Sequence, residues 1–285
     1  MLLPHQPASP SRRDAALTAR FLTPARASLM EWLLSIRAEV DRDLGPSLEG
    51  RFGKPYPYGC CQEITLDVMR RMSGSVARSE APGARALLAY LKAGGACRRI
   101  WGVLRGVYFQ NALQCGGLYV DVSNDTVTVT KPKVEIADIA ESGLERVTGI
   151  EHFNRVASGY WGLAMYPNHA VPSLAPVLPV MSITPAGGVS LQSATDYMVA
   201  LLRLDDFRQS ESWIVDGRAP PAKAVEALRA LCPPDLLAAN PEPTAAAAAA
   251  ACRMARAIRH EERAAWCLNR VLDFQRMAEM MPKAA

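Results

Sequence analysis

The chain has 285 residues, 49% of them apolar and 21% charged, with a net charge of +4. That length suits one large domain or two small ones, with apolar residues enough for a substantial core. The small net charge gives no argument for nucleic-acid binding, for which clustering matters more than the total, and no apolar run approaches the length of a membrane span. Residues 1–26 are rich in Pro, Ser, Ala and Arg and predict a disordered arm; such an arm is compatible with delivery of the chain into another cell as a bacterial effector. Ser28-Leu29-Met30-Glu31 has capping-box spacing. Leu29, Trp32, Leu33, Ile36 and Val40 then fall on one helical stripe that Gly45-Pro46 ends.

Residues 51–59, with Gly53, Pro55, Pro57 and Gly59, predict a loop. Helices are expected from about Cys61 to Met72, with Cys61, Ile64, Val68 and Met72 on one face, and over 83–93. Ile100 to Leu113 alternates and is rich in β-formers, with Gly102 and Gly106 on one side as signs of close packing. Cys115-Gly116-Gly117 reads as a hairpin turn, Leu118–Ser123 as the returning strand, Asn124-Asp125 as a turn, and Thr126–Thr130 as a further strand. One or two short helices are expected within 134–157, and a strand over 159–165.

Prolines 172, 176, 179 and 185 leave only Val180–Thr184 able to pair, at a sheet edge. A helix follows at 193–208, then a short strand at Trp213–Val215. A helix at 221–231 stops at Pro233-Pro234, and Thr244 caps a long helix running through Ala245–Ala251 towards Met280. Helices, then strands, then helices give an α+β fold: an antiparallel sheet packed on a Cys-bearing helix, with a helical C-terminal appendage. The expected divisions are an arm over 1–26, a core over 27–218 and a helical region over 219–285.

The seven cysteines follow no framework spacing, and the start Met1-Leu2-Leu3-Pro4, soon followed by Arg12 and Arg13, lacks the apolar stretch of an export signal. Both predict reduced thiols and a cytoplasmic location. The segment Tyr58-Gly59-Cys60-Cys61-Gln62-Glu63 feeds two cysteines into a helix start. There, unpaired backbone N–H groups and the helix dipole lower a thiol pKa. The opposing reading is a packed thiol, since Cys61 shares its stripe with Ile64 and Val68.

Gly59, Cys61 and Glu63 at a helix start, followed by an antiparallel meander, resemble the transglutaminase-like and papain-like cysteine enzymes over residues 55–125. The resemblance implies Cys61 as nucleophile and Asp121, on the return strand Tyr119-Val120-Asp121-Val122, as the acidic member. It places the family's histidine on the outgoing strand, where this chain has Gln110-Asn111. His169 in Tyr166-Pro167-Asn168-His169 is the candidate base from a later loop, with Asp196 or Asp216 as alternative orienters. The implied activity is acyl transfer or amide hydrolysis on a protein or peptide: a protease, deamidase or transglutaminase-like modifier. A thiolate attacks a carbonyl, an imidazole moves the proton, and donors such as the Cys61 N–H, Gln62 or Asn111 hold the oxyanion.

The amides Gln110, Asn111 and Gln114 need partners if buried, so they either form a structural network or line a substrate or ligand pocket. They carry the alternative of a non-catalytic ligand- or protein-binding module. A third option is a small-molecule enzyme that uses Asp121 and the amides without a covalent step. Arg253, Arg256, Arg259 and Arg263 form a stripe diluted by Glu261 and Glu262, read as a solvated face. No motif points to zinc, a nucleotide or a dinucleotide, so neither a cofactor nor a metal is expected; nor is nucleic acid or a membrane expected as partner, and the oligomeric state is left open.

Overall fold

The structure, a computed structural model, describes residues 3–48, 54–192 and 195–279. The expected loop residues 51–53, the start of the 193–208 helix and Met280 lie partly or wholly outside these. The fold is α+β, with an antiparallel five-stranded sheet, a second sheet of three strands, and helices before and after. The chain divides into two compact units, one of His5–Arg146 and one that begins at Val147 and also holds Leu3 and Pro4. The boundary therefore falls directly after the first sheet, near 146, and not at 218.

In the N-terminal unit, α1 (Arg12–Leu17) opens with a capping box in which Ser11 accepts from Asp14 N. A π-turn over Thr18–Leu22 follows, with Leu22 buried. Ala8 is held by Gln114 (N to Oε1, 3.2 Å) and Trp101 N donates to His5 O (2.7 Å). The segment expected as a loose arm is thus built into the unit, because its backbone pairs with strand groups and its apolar residues enter the core.

Helix α2 (Arg26–Leu44) buries the expected stripe Leu29, Trp32, Leu33, Ile36 and Val40. It starts two residues before Ser28, whose hydroxyl bonds back to Ala25 O (3.0 Å) instead of capping. Helix α3 (Cys61–Ser75) buries Ile64, Val68 and Met72, and α4 (Pro82–Lys92) buries Leu87 and Tyr90. Each fully buried aliphatic contributes about 1.5–3 kcal/mol. These helices share one core with Leu113, Leu118 and Val120 of the sheet.

The sheet has the order β4-β3-β2-β1-β5, from β1 (Cys97–Leu104), β2 (Tyr108–Cys115), β3 (Leu118–Asp121), β4 (Glu135–Asp138) and β5 (Leu144–Glu145). The alternation over 100–113 is two strands, not one: Arg105 and Gly106 take φ of 54° and 70° and reverse the chain. Gly102 is needed where β1 meets β5, since a Cβ there would lie 2.3 Å from Glu145 O. Gly116-Gly117 makes the expected hairpin between β2 and β3. Asn124-Asp125 turn as expected, in a 3-10 turn that takes in Thr126, so the strand expected over Thr126–Thr130 does not form, and β4 and β5 occupy part of the stretch expected to be helical. Cys97 and Cys115 face each other across β1 and β2 (Cα–Cα 4.2 Å) and form a disulfide, so the expectation of seven reduced thiols is corrected.

The second unit holds α5 (Ile150–Trp161), β6 (Ala164–Pro167), β7 (Val180–Ile183), β8 (Val189–Gln192), α6 (Thr195–Leu204) and α7 (Arg208–Asp216). Strand β7 is central between β6 and β8, not an edge, because the chain returns through Thr184–Gly188 as a tight hairpin. Trp213–Val215 is helical within α7. The remaining helices are α8 (Ala222–Arg229), α9 (Pro234–Ala238), α10 (Ala245–Ala257) and α11 (His260–Glu279). Thr244 caps α10 as expected, but the long helix breaks at Ile258, which is extended (φ −66°, ψ 134°). No described helix is long and apolar enough to cross a membrane.

Candidate functional site

The start of α3 is fixed by what precedes it. Gly59 N donates to Thr126 O (3.0 Å) and Cys60 N to Pro57 O (3.1 Å), which ties the entering loop to the turn after β3. That turn is anchored from α2 by Arg37, whose side chain is buried and forks onto both Asp125 carboxylate oxygens (2.8 and 3.0 Å). The same guanidinium reaches Val122 O (2.9 Å) and Asp41 Oδ1 (2.8 Å), and Asp41 also accepts from Tyr56 (2.6 Å). A cation on the apolar stripe of α2 therefore sets where the α3 start meets the sheet.

Cys61 occupies the first position of α3 and is half-buried. Its sulfur meets an amide: Asn111 Nδ2 donates to Sγ at 3.5 Å. One turn on, Thr65 donates to Asn111 O (3.2 Å) and lies 3.2 Å from the Ser123 hydroxyl. Burial pushes the Cys61 thiol above its ordinary value, against the Asn111 amide, which favours the thiolate; the charges of Asp121 and Glu63 push it further up. The lowered pKa expected from the helix start is overridden by desolvation.

Strand alternation separates the remaining predicted residues. The register pairs Leu113 with Val120 and Gln114 with Tyr119. Asn111, Leu113 and Val120 thus share the face that carries the helical core, while Gln110, Gln114, Tyr119 and Asp121 share the other. Asp121 is fully buried there and accepts from Gln110 Nε2 (2.8 Å), Tyr119 OH (2.9 Å), Ser123 N (2.8 Å) and Ser123 Oγ (3.1 Å). Burial pushes its carboxyl up to about 6, against those donors. Among the described residues, all of its bonds are to strand and turn groups.

The other amides are likewise occupied. Gln114 is a clamp for the N-terminal segment, donating to Ala8 O (2.6 Å) and Gly116 O (3.0 Å) and accepting from Arg98 (2.7 Å). Gln62 is exposed on the first turn of α3. His169 belongs to the other unit, is buried, and its Nε2 donates to Ile214 O (3.0 Å). The structure thus brings Cys61 together with Asn111, and Asp121 with Gln110, while His169 packs within its own unit. Of the alternative orienters, Asp216 accepts from Ser212 Oγ (2.9 Å). Among the described residues no three His, Cys, Asp or Glu side chains gather to hold a metal ion.

Three cavities lie within the second unit. One of about 750 Å3 opens between the first turn of α5 and α7, lined by His152, Arg155, Gln209, Trp213 and Asp216 among others. A second, of about 630 Å3, includes His169, Glu226 and Arg229, and a third, of about 480 Å3, is mostly apolar beside α10 and α11. None of these is lined by Cys61, Asn111 or Asp121. The sequence reading passes over the first because it places Trp213 in a strand. The signal was present in Gly149, three residues after the N-terminal unit ends, and in the amphipathic helix that follows. Compared with known proteins, the chain matches no family model, no curated protein and no solved structure.

Proposed function

We propose that this chain works by binding and not by covalent turnover, as a non-catalytic ligand- or protein-binding module whose N-terminal unit keeps the layout of a cysteine enzyme. The observation that carries this reading is the partner of Cys61: the side chain at its sulfur is the Asn111 amide, at 3.5 Å, where acyl-transfer chemistry needs a proton acceptor. An amide cannot take the thiol proton, and burial already holds that proton on. Among the described residues Asp121 accepts from Gln110, Tyr119 and Ser123 and from no ring nitrogen.

Cysteine-dependent acyl transfer on a protein or peptide remains as the second reading. The half-exposed Cys61 at a helix start beside an amide donor of the kind that holds an oxyanion favours it. The experiment that separates the two is incubation of the full chain with casein and with glutamine-donor peptides, in the presence of a primary amine, followed by intact mass. Binding predicts no acyl adduct on Cys61, no cleavage and no amine incorporation. An adduct that maps to Cys61 and is absent from Cys61→Ser overturns it.

A further inference from the structure

We propose that the cleft between the first turn of α5 and α7 binds a small zwitterion carrying a carboxylate and an ammonium group, of the amino-acid type. This rests on the binding reading and names its site. A volume of about 750 Å3 falls in the range of small-molecule sites. The cleft is built, not incidental. Gly149 precedes α5, and a Cβ there would lie 2.5 Å from Gln209 Oε1. Glycine lets that amide close over the helix start, where it accepts from Ile150 N (3.3 Å). The helix start is therefore already capped, and the recognition falls to side chains.

Two of them are donors without partners. Trp213 lines the cleft, and its indole Nε1 is buried with no hydrogen bond among the described residues. A buried N–H left unpaired costs about 1–3 kcal/mol, and indole can only donate. Arg155, which lines the cleft from α5, is exposed and pairs with no carboxylate among the described residues. A guanidinium fork and an indole N–H together suit a carboxylate.

The opposite charge is present too. Glu151 and Asp216 line the cleft, and Asp216 accepts from Ser212 Oγ through Oδ2, which leaves its second oxygen for a cation. His152 is tied through Nδ1 to Thr148 (3.3 Å). Two carboxylates and one guanidinium in the same lining would repel a phosphate dianion but complement a group of each sign. That balance decides for a zwitterion over a simple anion.

The test uses the full chain labelled with 15N. The indole N–H signals of the five tryptophans are recorded, and the Trp213 signal is assigned by its loss in Trp213→Phe. The twenty L-amino acids are added singly at about 10 mM, enough to fill most of a millimolar site. At least one is expected to move the Trp213 signal selectively and saturably. Arg155→Gln, at an exposed unpaired position, is expected to keep the wild-type melting temperature and lose at least about tenfold in affinity. The proposal is overturned if none of the twenty moves that signal, if inorganic phosphate moves it as far, or if Arg155→Gln binds unchanged. A silent Trp213 removes this site while the Cys61 adduct assay still decides the binding reading on its own.

Discussion

On the face of β2 turned to α3, Asn111 touches the Cys61 sulfur at 3.5 Å among aliphatic side chains. On the opposite face Gln110, its neighbour in sequence, closes a ring of hydrogen bonds with Asp121 and Ser123. The two faces hold the residues expected to form one site, and the sheet lies between them. A residue's side of a strand changes with a single step in register. The comparison teaches that a cysteine, an amide and a carboxylate at suitable spacing make a catalytic set only when the alternation brings them to one side.

The two faces meet at the turn after β3, so the largest effect is expected there. Replacing Arg37 with Met leaves Asp125 buried without its cation, and urea unfolding should show a loss of about 3–5 kcal/mol. A loss under about 1 kcal/mol would mean that the turn is anchored by other groups.

The polar face is probed by pH. Asp121 holds its proton more tightly folded, with a pKa of about 6, than unfolded, at about 4. Its contribution to stability is therefore fully present below pH 4 and is lost as pH rises through 6. The change is on the order of 3 kcal/mol. Asp121→Asn should flatten that part of the stability curve, measured by urea unfolding at stepped pH. An unchanged slope would place the buried charge elsewhere.

A smaller contrast separates the adjacent amides. Gln110→Ala removes a donor that favours the Asp121 anion, so the pH midpoint of that stability loss should move upward, with about 1–3 kcal/mol lost at neutral pH. Asn111→Ala should cost about 1 kcal/mol and leave the midpoint in place, while raising the Cys61 thiol further because the one amide opposing burial is gone. Equal effects of the two substitutions on the Asp121 midpoint would contradict the division between faces.

Much of the fold was legible because its signals are local. The stripe from Leu29 to Val40, the helix after Gly59 and the Gly116-Gly117 hairpin each depend on a few neighbouring residues. The failures have a common physical origin in long-range partners. Residues 5–22 resemble a loose arm until Trp101, Gln114 and the core take up their backbone and side chains. Arg105-Gly106 reverses the chain inside an alternating run, and β7 becomes central through a hairpin that its prolines obscure. For the candidate site, the sequence names the residues but not their sides, since the face of Asp121 follows from pairing that composition does not encode. The burial that sets the Cys61 thiol is also a tertiary property, and it outweighs the local helix-start effect.

The most direct measurement is the pH dependence of iodoacetamide labelling of Cys61 in the folded chain, followed peptide by peptide against the four other free cysteines. The account predicts half-labelling above the ordinary thiol value of about 8.5. Rapid and selective modification of Cys61 near neutral pH would mean a thiolate poised for attack, and would contradict it.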